Sequence, residues 1–345
     1  MTGISCFAFY LFSHSTLVMK KINILVYAVM LHACAYSQHS FTQYYSSPLL
    51  INPANTGKSI EDYRAGGFFR SEKNSYEMVN TSASFFYDTR IMASRIPEND
   101  RLSFGIAALS EKNVFAGIKN NYFRLSLAYQ KSLDESGLQY LSIGFQGGFS
   151  HKKIEPPVYV FEDQLIAWSS AGFKGLGPGQ SNIIDINYAD INAGINFQVL
   201  IGEKNLLSLG FSTSHINSPY VVFDGGAYSE SPSLGFQAGL ETMLPNSSKL
   251  YSSFLISKTK QEIDNLTLGS LYMMKLNSKN YHMGGGIIYR QDNVTGTVIA
   301  PCLSLKYNSF LLHLSYDIPA SSSVTTPRSG LELGMIFSGK RKKSK

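Results

Sequence analysis

Apolar and polar side chains alternate along much of the chain with a period of two residues. Between residues 123 and 130 every second side chain is apolar, and the side chains between them are small or polar. The same alternation occurs over residues 191–199, 310–317 and 331–337. Because successive side chains of a β-strand point to opposite faces, these segments are predicted to be strands with one apolar face. Leu127 and Leu312 belong to the apolar face, and Ser126 and Ser315 belong to the polar one.

The number and length of these segments indicate the class of sheet. About 14 segments follow one another, and many run for ~10–13 residues. Strands of soluble proteins are commonly ~5–6 residues long, whereas a tilted strand needs ~9–11 residues to cross a bilayer. Length therefore favours a transmembrane barrel over a soluble sandwich. The strands are expected to begin near Tyr63, Asn80, Arg101, Asn121, Gln139, Ala189, Asn205, Ser233, Ser248, Asn265, Tyr281, Gly296, Phe310 and Arg328.

The links between the segments support the same fold. The links after even-numbered strands are short, as at 201–205, 245–248 and 308–310, with 90–100 as the exception. The longest links, 154–188 and 217–232, both follow odd-numbered strands. Short periplasmic turns and long outer loops are typical of bacterial outer-membrane barrels. We therefore expect an all-β fold, a transmembrane antiparallel β-barrel of the outer membrane, formed by residues 63–338 and followed by a basic tail at 339–345.

The N-terminal region is typical of a secretory signal. Met19 followed by Lys20 and Lys21 fits a charged start, residues 22–33 are largely apolar, and cleavage after Ser37 follows a small-residue site. Residues 1–37 are thus interpreted as an over-long start plus a signal peptide. Two alternatives stay open, namely translation from Met1 as the true start and lipidation of Cys34.

Composition adds little to this picture and excludes several classes. Charged residues make up 16% of the chain, below the ~25% of a typical soluble protein. The net charge of +6 comes largely from the signal region and the C-terminal tail, so nucleic acid is not an expected partner. Once the signal is removed, Cys302 is the single cysteine, which leaves no disulfide framework.

A search for catalytic and ligand-binding motifs yields no site. The glycines at 175, 177 and 179 lack the Gly-Lys-Ser/Thr of a phosphate loop, and the Asp-x-Asn pairs near residue 190 lack the distant Glu of a calcium loop. The histidines are scattered, and no Gly-x-Ser-x-Gly elbow is present. We therefore expect no enzymatic activity, no cofactor and no metal.

One motif carries a family resemblance. Residues 41–44 read Phe-Thr-Gln-Tyr, residues 48–54 read Pro-Leu-Leu-Ile-Asn-Pro-Ala, and a glycine follows at 57. This stretch resembles the N-terminal signature of the PorP/SprF family of type IX secretion system membrane proteins, and residues 314–317 and 330–334 are also similar to that family. The motif residues are Phe41, Gln43, Tyr44, Pro48, Leu49, Asn52, Pro53 and Gly57.

The resemblance implies a function without chemistry. It implies a barrel in the outer membrane of a Gram-negative bacterium of the Bacteroidota, embedded in lipid and working with the type IX secretion and gliding machinery. The expected partners are periplasmic and outer-membrane components of that machinery and secreted adhesin-like cargo, which the barrel helps to export or anchor. An alternative from the residues alone is an outer-membrane diffusion channel or small-molecule transporter.

Two segments are candidate contact sites. Residues 38–62 precede the first strand and are expected at its periplasmic end, where Pro48 and Pro53 favour an irregular backbone. Their apolar side chains need a cover, either the barrel interior, as a plug, or a periplasmic partner. The second segment is the long outer link, which either packs on the barrel rim or docks a partner; its candidate residues are Val158, Tyr159, Phe161 and Trp168.

Overall fold

The alternating segments form long antiparallel strands, and fourteen of them close into a barrel. The computed structural model describes residues 41–59, 61–74, 79–92, 95–97, 99–114, 117–155, 184–223, 226–259, 262–276, 281–292, 296–320 and 328–340. The expected signal, the four candidate residues of the outer link and most of the basic tail lie outside these ranges.

The strands are numbered in chain order. They are β1 (Tyr63–Asn74), β2 (Val79–Ile91), β3 (Arg101–Asn113), β4 (Ile118–Ser132), β5 (Gln139–Ile154), β6 (Ile184–Ile201), β7 (Asn205–Ser214), β8 (Tyr220–Phe223), β9 (Gly226–Ser229), β10 (Ser233–Met243), β11 (Lys249–Thr259), β12 (Glu262–Lys275), β13 (Tyr281–Asp292), β14 (Gly296–Tyr307), β15 (Phe310–Pro319) and β16 (Arg328–Gly339). Strands β8 and β9 form a separate hairpin, and the other strands form the barrel.

Pairing between the first and last strands closes the sheet. Strand β1 pairs with β16 along its whole length, from Tyr63 opposite Gly339 to Asn74 opposite Arg328. A sheet in lipid must close in this way, because an open edge would leave backbone groups without hydrogen-bond partners. The predicted fold class is therefore confirmed. Strand β6 begins at Ile184, earlier than expected, and the β8–β9 hairpin was not predicted from the sequence.

The two faces of the strands follow the predicted parity. Leu127 and Leu312 point outward and are 49% and 41% exposed, whereas Ser126 and Ser315 point into the lumen and are 2% exposed. Aromatic rings gather on the strands near one end of the barrel, where Tyr281 stacks on Tyr307 with 4.3 Å between ring centroids. Such rings are typical of the border between hydrocarbon and headgroups. Within the part of the chain that the structure describes, no helix has the length and apolar character needed to cross a membrane.

The barrel has two distinct ends. The turn end carries the start of β1 and the short links 201–205 and 307–310, and the loop end carries the 154–184 link and the β8–β9 hairpin. Strand β1 runs from the turn end to the loop end, and its neighbours in the barrel run in the opposite direction.

The assignment of side chains to the outer face of the barrel can be tested with one arginine substitution. We expect Leu127→Arg to destabilise the barrel by ~2–4 kcal/mol, because the charge would face hydrocarbon. Ser257→Arg serves as the control, because Ser257 lines the hollow part of the lumen. Unfolding in detergent micelles with urea would measure both changes. Equal destabilisation by the two variants would contradict the assignment of faces.

Candidate functional site

The family-like motif lies inside the barrel. Residues 41–57, called the plug below, fold into the short helix α1 (Pro48–Ile51), flanked by 3-10 turns at Tyr44–Ser46 and Pro53–Asn55. The structure brings together all eight motif residues, and each of them is buried. The sequence left two possible contacts for the apolar side chains of this segment, the barrel interior or a periplasmic partner. In the structure the plug contacts the barrel interior. The functional role of these residues stays a prediction.

The two prolines and Asn52 determine the shape of the plug. Pro48 and Pro53 each occupy the start of a helical turn, where a missing backbone N–H is tolerated. Asn52 between the turns is extended, and its side-chain oxygen accepts a hydrogen bond from the Ala54 N–H at 2.9 Å. The Asn52 amide also donates to the carbonyl oxygens of Ile195 and Phe211, at 3.1 and 3.2 Å. One side chain thus caps a turn and ties the plug to β6 and β7.

The N-terminal end of the plug, called the plug tip, consists of Thr42 and Gln43. Both backbone N–H groups donate to the Glu332 carboxylate at 2.9 Å. The Thr42 hydroxyl donates to Asp317 at 2.9 Å, and the Gln43 amide donates to the Ser315 hydroxyl at 2.8 Å. The plug tip is therefore bonded to strands β15 and β16.

Polar side chains of the wall hold the plug backbone along its length. The side-chain amide of Gln146 donates to the Leu49 carbonyl and that of Gln130 to the Thr56 carbonyl, both at 3.1 Å. The backbone N–H of Gly57 donates to Asp88 at 2.8 Å. These wall residues were not predicted from the sequence. Their parity marks them as facing the lumen, but parity alone does not show which of them meet the plug.

Glycines in the wall create room for the plug. A Cβ atom at Gly144 would lie 2.4 Å from the backbone nitrogen of Ala54, and one at Gly194 would lie 2.1 Å from the side-chain oxygen of Asn52. Both distances are too short for non-bonded atoms. The barrel and the plug are thus matched in shape at backbone level.

A cluster of buried charges surrounds the plug tip. Arg70 and Arg290 both donate to the Asp317 carboxylate, at 2.7 and 3.0 Å, and Arg70 also pairs with Glu72. Glu332 lies in the same cluster and is 1% exposed. Buried charges are tolerated only when they are paired and hydrogen-bonded, and the plug tip supplies several of those bonds.

Burial also changes the ionisation of groups on and beside the plug. Burial and the nearby Arg64 lower the pKa of Lys58 to about 8. Burial raises the pKa of Tyr44 to about 12, partly offset by a hydrogen bond with Ser253. Tyr44 is therefore a neutral hydrogen-bonding group at physiological pH.

A cavity of about 420 Å³ remains between the plug and the loop end. Its floor includes Phe41 and Tyr44 of the plug. On its wall Arg124 pairs with Asp190 at 3.1 Å, and His215 contacts the same carboxylate at 2.8 Å. Among the described residues, no group of His, Cys, Asp and Glu side chains is arranged to hold a metal ion. In the described part of the chain, the plug therefore lies in the lumen toward the turn end, and the cavity lies toward the loop end.

The fit between plug and wall leads to a first test at the site. We expect Gly144→Ala to lower the free energy of unfolding by ~1–3 kcal/mol, because the added methyl group would overlap the plug backbone. Gly147→Ala is a matched control on the same strand, since no atom lies within 4 Å of a Cβ added there. Thermal unfolding in detergent would compare the variants. A loss of stability that is equal for both would contradict a close contact at Gly144.

Comparison with solved structures shows the fold. The barrel is similar to the CymD monoaromatic hydrocarbon channel, with 9% identity over 86% of this chain and 93% of that chain and a TM-score of 0.51. It is similar to the P. putida toluene transporter TodX, with 8% identity, coverage of 90% and 97% and a TM-score of 0.51. A Pseudomonas aeruginosa FadL homologue matches with 9% identity, coverage of 83% and 92% and a TM-score of 0.50. At such identities the likeness concerns the fold alone.

Comparison of sequences identifies the family. Among curated proteins, the comparison finds no match. The family described as type IX secretion system membrane protein PorP/SprF matches residues 33–335, nearly the whole chain. That range includes the plug and all the barrel strands except the last residues of β16. The chain therefore belongs to the PorP/SprF family of type IX secretion system membrane proteins.

Proposed function

We propose that the chain is a non-enzymatic outer-membrane component of the type IX secretion and gliding machinery, which assists the export or surface anchoring of cargo. It would reach the outer membrane of a Bacteroidota cell through a signal peptide cleaved after Ser37. Its partners would be periplasmic and outer-membrane components of the machinery and adhesin-like cargo. The proposal rests on one observation: this member of the family holds its N-terminal motif inside the barrel, bonded to the wall.

The contacts of the plug support a role of the barrel as a partner of the secretion machinery rather than as a channel. The plug is hydrogen-bonded to wall residues on opposite sides of the barrel, including Asp88 of β2, Gln146 of β5 and Ser315 of β15. A segment held from several sides blocks free diffusion unless many bonds break together. Cargo would then be handled at the outer surface, and the motif would maintain the barrel in its working shape.

A second candidate function is a diffusion channel for small molecules. The cavity of about 420 Å³ toward the loop end favours it, as does the shared fold with barrels that are described as hydrocarbon channels. A channel would require the plug to leave the lumen or shift within it. Conductance of the purified barrel in planar bilayers separates the two functions, because the proposed accessory role requires a closed lumen.

The role of the plug can be tested with Gln43→Ala combined with Asn52→Ala. Loss of their hydrogen bonds to Ser315, Ile195 and Phe211 should destabilise the barrel in detergent, by about 1 kcal/mol for each bond. Conductance should rise if the plug loosens, and cargo secretion should fall.

Gln139→Ala is the control for the double variant, because Gln139 is an exposed amide at the start of β5. Unchanged stability and conductance, together with reduced co-purification of periplasmic components, would favour docking of the motif on a partner. No change in stability, conductance or partner capture would contradict both roles.

The outer link gives a separate test of the cargo role. Removal of residues 158–182 deletes Val158, Tyr159, Phe161 and Trp168, the predicted apolar contact residues. We expect the barrel to insert normally and the amount of cargo on the cell surface to fall. Surface labelling of the cargo would measure the change, and replacement of residues 321–327 in another link by a Gly/Ser linker of equal length would be the control. Normal cargo display after the first deletion would contradict a docking role for this link.

A further inference from the structure

Three lysines form a row on the outer face of the barrel at its loop end. Lys119 of β4 lies directly opposite Lys112 of β3 on one side and Lys153 of β5 on the other. Lys119 has the parity of the exposed Phe123, so the side chains of the row point away from the lumen. Like charges that lie opposite each other on one face of a sheet destabilise it. An anion bound on the row would remove this cost.

The carboxylates near the row lie at its Lys153 end. Glu155 forms an ion pair with Lys153, and Asp185 of β6 lies opposite Lys153. Among the described residues, no carboxylate forms an ion pair with Lys112 or Lys119. The hydrogen bond from Lys153, together with the charges of the other two lysines, lowers the pKa of Glu155. The three lysines are thus close enough to act on one anionic group, and two of them can accept a further anion.

The outer face changes from polar to apolar below the lysines. In the next outward row the Ser110 hydroxyl donates to the Asn121 side-chain oxygen at 2.8 Å, and Asn121 lies opposite His151. The row after that places Phe123 opposite Phe149, and these rings are 49% and 72% exposed. Cations, hydrogen-bonding groups and apolar rings therefore follow one another from the loop end toward the middle of the barrel.

The lysine row lies at one border of the apolar belt. The part of β4 from Lys119 to Lys131 spans about 30 Å at a rise of ~3.3 Å per residue and a tilt of ~40°. This length matches the thickness of the hydrocarbon layer, so each lysine lies at the level of the headgroups. Lys131, at the turn end, is bonded to Asp100 at 3.0 Å. The unpaired cations of β3 and β4 are therefore at the loop end.

We propose that Lys112, Lys119 and Lys153 bind the phosphate of a phosphorylated glycolipid in the outer leaflet of the membrane. The phosphate lies on the lysines, the sugar lies at the level of Asn121, and the acyl chains lie against the two phenylalanine rings. Lysine binds phosphate as a point charge, and basic side chains near an anionic membrane surface attract its lipids. The inference rests on the outer-membrane location in the proposed function, with the loop end at the outer surface.

Binding is tested on the purified full barrel in a non-ionic detergent. Native mass spectrometry would measure the dissociation constant of diphosphoryl lipid A, a disaccharide lipid with two phosphates. We expect Lys112→Gln combined with Lys119→Gln to raise this constant roughly tenfold to thirtyfold, because two charges at the phosphate are lost. Thermal stability without lipid should not fall, because the substitutions remove a repulsion between like charges.

Lys258→Gln is the matched control. Lys258 is also an exposed lysine at the loop end of a barrel strand, but its neighbours across β10 and β12 are Leu234 and Ile263. Loss of this isolated charge should change the dissociation constant by less than about twofold, because a single exposed charge attracts an anion weakly. The dephosphorylated lipid, with the same sugars and acyl chains, should bind the unsubstituted barrel as weakly as the phosphorylated lipid binds the double variant.

Three results would overturn the phosphate site. Equal weakening by the double variant and by Lys258→Gln would show a general attraction of cations to an anionic lipid. Equal affinity for the phosphorylated and dephosphorylated lipids would assign binding to the acyl chains. Displacement of the lipid by inorganic phosphate at an equal concentration would assign the row to a free anion. The measurement requires no cargo and no partner, so its failure would leave the proposed function standing.

Discussion

The need to pair every backbone N–H and C=O in lipid determines most of this structure. A strand that crosses hydrocarbon has no water to bond with, so each barrel strand must find partners on both sides. Closure of β1 on β16 follows from this requirement, and so does the alternation of side chains, since one face of each strand must be apolar. The side chains that face the lumen need not be apolar, and they include the polar groups that bind the plug.

The polar and charged groups buried inside the barrel also need hydrogen-bond partners. Carboxylates such as Asp317 and Glu332 are almost fully buried, and a buried charge is costly unless it is paired and hydrogen-bonded. Arginines satisfy part of this need, and the backbone and hydroxyl of the plug tip satisfy another part. The plug in turn has irregular backbone that would be costly to bury without partners, and the wall provides them. Wall and plug therefore stabilise each other, and several motif residues, such as Gln43 and Asn52, take part in these contacts.

The sequence predicted the barrel far better than the interior. Strand positions follow from a repeating pattern that each segment carries by itself, so starts such as Arg101, Gln139 and Phe310 were predicted to the residue. The plug was identified only as an irregular segment in need of a cover, because its turns depend on Pro48, Pro53 and the Asn52 cap, whereas its position depends on contacts with strands far away in sequence. Gln130 and Gln146 look like ordinary lumen residues until the fold brings them to the plug. The β8–β9 hairpin is short and lies in a link, where periodicity gives little signal.

The position of Pro301 shows how the two constraints interact. A proline in an interior strand breaks the rule of complete backbone pairing, and the barrel tolerates it at the seam between β14 and β15. At that seam the lumen offers compensation, because Asp317 is held by Arg70, Arg290 and Thr42. These side-chain bonds differ from the backbone bonds of the sheet, because one of the partners, Thr42, belongs to the plug and not to a strand. The plug tip binds Asp317 and Ser315 of β15 and Glu332 of β16, so it stabilises these two strands from inside the lumen.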